Sequence, residues 1–275
     1  MHDWLIVLIL GIVEGITEFL PISSTGHLLI AEKLMQSHQS DLFNVVIQCG
    51  AVMAVLPLFH HRLHKFIYEL RKPETQDYLK KLLVAFAITC AGGFIIEKKG
   101  IKLPEELTPV AWALLIGGVV FLAVEWFLRG RKLGENITWT VVVAVGLGQL
   151  VAAMFPGASR SGTTIMFSLL LGLSRPAATE FSFLVSIPTM MAASGYKIFK
   201  AFHHPAVAAP KENWEFVILA SVVAAITSFI AVKWLLRYVQ SHTFNAFGWY
   251  RIGAAVAIFA LIPHLKEIAD KGLGN

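Results

Sequence analysis

Charged residues are scarce in this sequence of 275 residues. Aspartate, glutamate, lysine and arginine make up 15% of the chain, whereas roughly 25% is usual in soluble domains. Hydrophobic residues make up 56%, and so few charges cannot cover the surface of a soluble protein of this size. The same composition excludes a disordered chain, a collagen and a coiled coil. A polytopic helical membrane protein remains.

Cysteine is also rare, and both Cys49 and Cys90 lie inside apolar runs. This placement indicates small buried side chains rather than a disulfide or a Cys-x-x-Cys metal site. The amino-terminal residues lack the basic start and small-residue cleavage site of a signal peptide, so we expect none. In a soluble protein the net charge of +5 would suggest a nucleic-acid partner. Here the basic residues lie between apolar runs, where they orient a membrane protein, so we expect no nucleic acid.

Long apolar runs alternate with runs that end at proline. A helix needs about 20 residues to cross the hydrocarbon core of a bilayer. The runs that approach this length, one of them by extension, lie near 42–59, 82–96, 110–128, 177–199, 215–236 and 246–263. The runs 4–20 and 139–155 instead end at Pro21 and Pro156 and are followed by short segments rich in glycine and serine. Such interrupted segments indicate re-entrant helices enclosed by protein.

The two interrupted segments belong to an internal repeat. At an offset of 135 residues the aligned pairs are Gly11 with Gly146, Glu14 with Gln149, Pro21 with Pro156 and Ser24 with Ser159. Each half then holds one interrupted pair and three spans, so the halves enter the membrane with opposite polarity. We predict a single all-α polytopic membrane domain, 1–275, an inverted-topology repeat of 1–135 and 136–275 with about six transmembrane helices and two re-entrant hairpins.

The loops predict the orientation of the chain. Most lysines and arginines fall in the loops 60–81, 129–137 and 237–245, which lie on one side in this arrangement. Basic loops stay in the cytoplasm. We therefore expect a multi-pass membrane protein with both termini and both proline-containing re-entrant tips on the outer side.

Glu14 and Glu18 lie four positions apart in the sequence, which puts both carboxylates on one helical face. Like charges repel at that spacing, and burial in a membrane makes ionisation costlier. A divalent cation, an arginine or protonation must compensate. The alternative is a wet helix end, but Glu14 stands inside an apolar run, more than a turn before Pro21, which favours a functional role.

The segment that follows Pro21 has the features of an anion site. Ser23 and Ser24 stand where an N-cap would begin a helix, and the exposed N–H groups of a helix start favour phosphate. Ser24 and His27 share a face, which permits a serine hydroxyl with an imidazole for proton transfer. Plain capping by serine and a chance histidine is the alternative.

The second half repeats this arrangement with an arginine. Arg160 stands in the segment 156–164, and an arginine in an apolar membrane chain is costly unless it meets an anion. Its planar fork suits phosphate oxygens. Hydroxyl donors around it are Ser159, Ser161, Thr163 and Thr164. Two helix starts, an arginine and two carboxylates predict a phosphate site. Arg175 and Glu180 form a further polar interruption, for which ligand contact and a structural ion pair both stay open.

These segments resemble one known family. Residues 14–27, Glu-Gly-Ile-Thr-Glu-Phe-Leu-Pro-Ile-Ser-Ser-Thr-Gly-His, closely resemble the ExxxE and SSTGH signature of bacterial undecaprenyl-diphosphatases, the bacitracin-resistance family. Residues 156–164 are similar to its PGxSRSxxT motif, and 172–183 resemble a third family stretch. The resemblance covers nearly the whole chain. It implies hydrolysis of undecaprenyl diphosphate to the monophosphate and inorganic phosphate, which recycles the lipid carrier of cell-wall synthesis.

On the matching positions the resemblance implies roles for single residues. Ser24 would be the nucleophile, His27 would assist proton transfer, and Arg160 would hold the diphosphate. Glu14 and Glu18 would form the acidic pair, and the family's dependence on a divalent cation implies Mg²⁺ or Ca²⁺ there. The residues predicted to contact phosphate are Ser23, Thr25, Gly26, Ser159, Ser161, Gly162, Thr164 and Arg175.

Two alternatives stay open. In one, Glu14 and Glu18 hold a metal that activates water directly, without a serine nucleophile. In the other, the protein is a transporter or flippase of a phosphorylated lipid, because inverted repeats with a polar midplane site are typical of carriers. The partners we expect are an isoprenoid diphosphate lipid and membrane lipid, with no nucleic acid, and a homo-oligomer stays open.

Overall fold

The computed structural model describes residues 2–99, 106–203 and 213–272. Its α-helices are α1 (Asp3–Thr17), α2 (Ser24–Leu34), α3 (Asp41–Val55), α4 (His60–Tyr68), α5 (Pro73–Lys98), α6 (Leu107–Phe127), α7 (Trp139–Met154), α8 (Arg160–Leu170), α9 (Arg175–His203), α10 (Trp214–Tyr238) and α11 (Asn245–Gly272). A 3-10 turn, Leu56–Phe59, joins α3 to α4. In these residues the only β-type pairing is an isolated bridge between Gly134 and Leu173. The predicted all-α class is confirmed.

Five helical segments of the described chain are long and apolar enough to cross a membrane. They are Asp41–Tyr68, Pro73–Lys98, Leu107–Phe127, Trp214–Tyr238 and Asn245–Pro263. With 29 residues, α9 has the length of a sixth span but carries more polar side chains. On α10 the exposed residues Ile218, Val222, Ile226 and Ile230 repeat every four positions, and such an apolar stripe is suited to lipid. The chain is a multi-pass membrane protein.

The prolines mark two pairs of short helices. α1 and α7 have 15 and 16 residues, so each is about 22–24 Å long, less than the roughly 30 Å of a hydrocarbon core. Each is followed by a tight turn and a helix of 11 residues, α2 or α8, which packs against the helix before it. The interrupted pairs predicted from the sequence are present.

Helix starts in the chain have local causes. The side chain of Ser40 caps α3 by accepting from the N–H of Phe43 at 2.9 Å. Thr138 caps α7 through the N–H of Val141 at 3.3 Å. Pro73 occupies the first turn of α5, where its missing N–H costs nothing. The span predicted at 82–96 therefore begins earlier than its apolar run, because these polar residues still favour a helix.

Glycine lets the first short pair approach the rest of the bundle closely. α1 lies against α10 and α3, α7 against α5 and α8, and α6 against α11. A Cβ atom at Gly15 would lie 2.0 Å from Oγ1 of Thr227, and one at Gly11 would lie 2.6 Å from the carbonyl oxygen of Ala220. Small residues at a helix interface allow this backbone approach inside a membrane. The register of α1 on α10 is thereby fixed.

A group of aromatic rings fills the middle of the bundle. Phe19, in the turn after α1, meets Phe183 of α9 edge to face with ring centres 5.1 Å apart. Phe59 meets the same ring at 6.4 Å. Toward the end of the bundle that contains α4, a cavity of about 770 Å³ is lined by charged side chains, among them the paired Arg62 and Glu180.

Candidate active site

Ser23 and Ser159 begin the two short return helices from a backbone conformation that is rare for serine. Their φ angles are 74° and 67°, in the left-handed region where a Cβ atom is crowded. Each side chain accepts a hydrogen bond from a backbone N–H three residues on, at 3.4 Å from Gly26 and 3.2 Å from Gly162. The two serines are helix caps. The N–H groups of both glycines, predicted to contact phosphate, are already bonded.

The capping serines revise the alignment of the two halves. The prolines are 135 residues apart, but the caps are 136 apart, because Pro156 lies three positions before its capping serine and Pro21 only two. The predicted match of Ser24 with Ser159 is therefore wrong. Ser24 and Arg160 are instead the equivalent residues, each at the first position of its helix.

The hydroxyl of Ser24 has a carboxylate as its partner. It donates to Oε2 of Glu18 across 2.5 Å, and both side chains are buried. Glu18 is the C-cap of α1, so the turn between α1 and α2 folds the acid back onto the serine. A proton acceptor at hydrogen-bond distance is what activation of a serine hydroxyl requires.

Arg160 reaches the same carboxylate from the other half of the chain. Its Nη2 donates to Oε1 of Glu18 at 2.7 Å, and its Nη1 donates to the carbonyl oxygen of Ser186 at 3.2 Å. Glu18 thus joins a serine from one interrupted pair to an arginine from the other. The guanidinium is held where its remaining N–H groups can meet an anion.

Glu14 is fully buried at 0% exposure, and neither of its carboxylate oxygens has a hydrogen-bond partner among the described residues. A buried acid without compensation is costly, so the position suits a bound cation or a proton. In the described residues no group of three or more His, Cys, Asp and Glu side chains could hold a metal. A cation here would take its other ligands from water or substrate phosphate, as Mg²⁺ commonly does. The unpartnered oxygens of Glu14 are thus the observation in favour of a divalent cation at Glu14 and Glu18, which stays a prediction.

His27 is turned away from Ser24. Its Nδ1 lies 2.7 Å from the carbonyl oxygen of Ser23, and its Nε2 lies 2.7 Å from the hydroxyl of Tyr250. A carbonyl only accepts, so Nδ1 carries a proton and the neutral ring accepts from Tyr250 at Nε2. Both ring nitrogens are occupied and the Ser24 hydroxyl bonds to Glu18 instead, so the assistance of His27 in proton transfer stays a prediction. Sharing a helical face was not enough, because Glu18 competes for the hydroxyl.

Two hydroxyl groups predicted to contact phosphate donate to backbone carbonyl oxygens instead. Ser161 donates to the carbonyl oxygen of Leu20 at 3.1 Å and thereby joins α8 to the turn after α1. Thr164 donates to the carbonyl oxygens of Arg160 and Ser161, at 2.9 and 3.1 Å. Both side chains are buried and neither lines the cavity, so their contact with phosphate stays a prediction that this geometry does not favour.

Arg175 is a structural residue in this fold. Its Nε donates to Oε1 of Glu125 at 2.9 Å, and its Nη2 pairs with Oε2 of the same carboxylate. Glu125 also accepts from the N–H of Phe244 at 2.8 Å. Of the two interpretations left open, the ion pair is correct, although the partner is Glu125 rather than Glu180. Arg175 does not line the cavity of about 250 Å³ that holds Ser24 and Arg160, and its contact with phosphate stays a prediction.

Six of the predicted site residues line one cavity of about 250 Å³. The predicted members in its wall are Glu18, Ser23, Ser24, Thr25, Ser159 and Arg160. Sequence reasoning missed Gln48, Thr89 and Gln149, which line it as well. Gln149 donates to Oγ1 of Thr89 at 3.0 Å, and its match with Glu14 in the repeat was the signal that could have identified it. Apolar side chains such as Met190 complete the wall.

Fold and site together define a multi-pass membrane protein in which two interrupted helix pairs present a serine, a carboxylate and an arginine to a ligand inside the bundle. The chain belongs to the family described as Bacitracin resistance protein BacA, whose model matches residues 7–257. This match covers both interrupted pairs and most of the spans. The family resemblance predicted from the sequence is confirmed.

Relatives are similar along nearly their whole length. An undecaprenyl-diphosphatase of Rhizobium etli is 50% identical over 260 residues, which is 94% of this chain and 97% of the relative. An undecaprenyl-diphosphatase of Xanthomonas euvesicatoria is 48% identical over 264 residues, or 96% of this chain and 98% of the relative. One of Xylella fastidiosa is 48% identical over 259 residues, or 94% and 98%.

Proposed function

We propose that this protein hydrolyses undecaprenyl diphosphate to undecaprenyl phosphate and inorganic phosphate. This reaction returns the lipid carrier to cell-wall synthesis and confers bacitracin resistance. The observation that carries the proposal is Glu18, which accepts from Ser24 and from Arg160 at once. The name shared by the relatives, undecaprenyl-diphosphatase, supports the substrate.

In the mechanism that the geometry favours, the Ser24 hydroxyl oxygen attacks the terminal phosphorus. A Ser24–phosphorus bond forms, the bond to the bridging oxygen breaks, and undecaprenyl phosphate leaves. Glu18 takes the serine proton along the 2.5 Å hydrogen bond. Arg160 exchanges its bond to Glu18 for the phosphate oxygens and stabilises their developing charge. Substrate binding therefore frees the carboxylate for its role as base.

Hydrolysis of the phosphoserine completes the cycle. Water attacks the phosphorus, the bond to Ser24 breaks, and the serine oxygen recovers its proton from Glu18. Inorganic phosphate then leaves through the cavity. The alternative is direct attack by water on the diphosphate, with no phosphoserine. In that case Ser24 would only orient the carboxylate and the phosphate.

We also propose Glu14 and Glu18 as protein ligands for a divalent cation, Mg²⁺ or Ca²⁺. Both ions prefer oxygen ligands, and the unpartnered buried oxygens of Glu14 support the proposal. When bound, such an ion supplies positive charge against the diphosphate oxygens. The protein residues still perform the tasks assigned above: Glu18 holds a proton, and Arg160 orients phosphate.

We propose that the protein is located in the inner membrane, with the cavity open to the periplasm or the exterior and both termini outside. The basic loops 60–81 and 129–137 and the charged cavity near α4 support a cytoplasmic position for that end. The site cavity includes Met190 and Ser194, from the later half of α9, which lies toward the opposite end.

Phosphate release from undecaprenyl diphosphate in detergent tests the function. The full chain should release one phosphate per lipid, and Ser221→Ala should match it, because that hydroxyl bonds only to the carbonyl oxygen of Val217 on α10. A transporter or flippase, the second candidate, is favoured by the interrupted helix pairs. A carrier would release no phosphate, and this result would overturn the proposal.

A further inference from the structure

Arg251, on α11, is the largest fully buried side chain in the described residues. It takes part in none of their ion pairs. Its guanidinium instead donates to four backbone carbonyl oxygens, those of Pro21 at 3.2 Å, Ala113 at 3.2 Å, Gly157 at 3.0 Å and Ala158 at 3.1 Å. The guanidinium carbon lies 5.5 Å from the ring centre of Phe121. A buried cation without a carboxylate is costly, so its position needs an explanation.

The carbonyl groups that Arg251 binds belong to the turns that carry the site. Pro21 lies in the turn between α1 and α2, and Gly157 and Ala158 lie in the turn between α7 and α8. One side chain therefore bonds to both interrupted pairs at once. The residues that follow these turns are Ser24 and Arg160, which must face the same phosphate.

The chemistry of the turns explains why an arginine stands there. Carbonyl groups of irregular backbone at membrane depth have no water and need donors from the protein. Both turns also follow the carboxyl ends of helices, α1 and α7, where the helix dipole is negative. A planar guanidinium offers several donors in fixed directions, so it can serve two separate turns where an ammonium cannot.

The structure also reserves space for this guanidinium. On α6, a Cβ atom added at Gly117 would lie 2.1 Å from Nη2 and 2.8 Å from Cζ of Arg251. An alanine at this position would push the guanidinium away without removing its charge. At Gly253, two residues further along α11, an added Cβ would have no atom within 4 Å.

We infer that Arg251 is a positioning residue for phosphate-bond hydrolysis: it holds the two turns in register so that Ser24, Glu18 and Arg160 converge on one phosphorus. Arg251 does not line the cavity, so its assigned role is to hold the turns rather than to bind substrate. The inference rests on the proposed function but holds for attack by either serine or water, because both need the groups from the two halves to meet.

The test compares three variants of the full chain in detergent: Arg251→Lys, Gly117→Ala and the matched control Gly253→Ala. For each we would measure kcat and KM for undecaprenyl diphosphate together with the thermal unfolding midpoint. A displacement of about 1 Å between reacting groups can cost about 100-fold in rate. We expect such a fall in kcat for Arg251→Lys and Gly117→Ala, with KM near wild type, and no change for Gly253→Ala.

Two results would overturn the inference. One is wild-type kcat in both Arg251→Lys and Gly117→Ala. The other is a lower unfolding midpoint with full kcat per folded molecule, which would make the arginine a purely structural tie. If Arg251→Lys fails to fold, Gly117→Ala alone decides between these results. Absence of phosphate release from the wild-type chain would contradict the proposed function, and this outcome is distinct from both.

Discussion

Ser24 and Arg160 occupy the same position in the two halves of the molecule. Each is the first residue of a helix that is capped by a serine with a positive φ angle. The same serine-capped helix start therefore presents a hydroxyl group in one half and a guanidinium group in the other. Glu18 meets both. The two halves have the same backbone arrangement but contribute different reactive groups, and the carboxylate of Glu18 joins these groups.

Ser24→Ala should abolish turnover, because no neighbouring group supplies an oxygen in the same place. Loss of a nucleophilic serine costs roughly 10⁴–10⁶ in kcat in other hydrolases. Phosphate release measures the effect, with Ser221→Ala as the control. Substantial activity in Ser24→Ala would favour direct attack by water and would remove the phosphoserine from the mechanism.

Arg160→Lys should lose most activity while the protein still folds. A lysine keeps the charge, but its ammonium cannot bond to Glu18, the Ser186 carbonyl group and a phosphate in the same fixed plane. We expect a loss of about 10²–10³ in kcat. Arg129→Lys, at an exposed position, is the matched control. Equal rates in the two variants would show that the guanidinium fork has no part in the reaction.

Glu14→Gln should raise the concentration of divalent cation needed for half-maximal activity. The amide keeps the shape of the side chain but removes the charge that a cation requires. Titration of chelated protein with Mg²⁺ or Ca²⁺ measures the shift, and Glu97→Gln, at a half-exposed side chain, is the control. An active variant with unchanged cation dependence would assign Glu14 to proton storage or packing instead.

His27→Ala should reduce kcat by less than the roughly 10²–10⁴ typical of a lost general acid or base. The histidine bonds to the Ser23 carbonyl group and to Tyr250, so its loss loosens the turn rather than removing a proton carrier. Tyr250→Phe should have a still smaller effect in the same assay. A loss as large as that of Ser24→Ala would return His27 to the catalytic groups.

Arg175→Gln should destabilise the protein more than it changes the chemistry. Glu125 is 4% exposed, and loss of one partner from a buried ion pair costs about 3–5 kcal/mol. Lys72→Gln breaks the exposed pair with Glu69, in which the hydrogen bond from Lys72 lowers the Glu69 pKa. It should leave the unfolding midpoint almost unchanged, because water screens an exposed ion pair. Thermal unfolding in detergent compares them. Equal midpoints would contradict the structural role of Arg175.

Much of the fold could be predicted because composition and proline placement carry it. Apolar length marked the long spans, and Pro21 and Pro156 marked the interrupted pairs. The extra residue between Pro156 and its capping serine escaped alignment, because Gly157 and Ala158 have no distinctive chemistry. Only the matching φ angles of Ser23 and Ser159 revealed it.

The sequence predicted which residues belong to the site better than it predicted which atoms they bond to. Ser24, Glu18 and Arg160 stand in motifs with costly residue types, so their importance could be read from the sequence. The direction of a side chain could not, and His27 and Thr164 turned to backbone carbonyl groups instead. Arg251 was missed because its partners are main-chain atoms, which leave no residue pattern.

The rings of Phe19, Phe59 and Phe183 bear on where water can pass through the protein. Phe183 lies on α9 between Glu180, in the wall of the charged cavity, and Thr189, in the wall of the site cavity. Phe19 and Phe183 are fully buried, and close-packed apolar rings leave no room for a chain of water molecules. On this stretch of α9 apolar packing therefore separates the cavity that holds the site from the charged cavity, so water that reaches Ser24 does not pass between these rings.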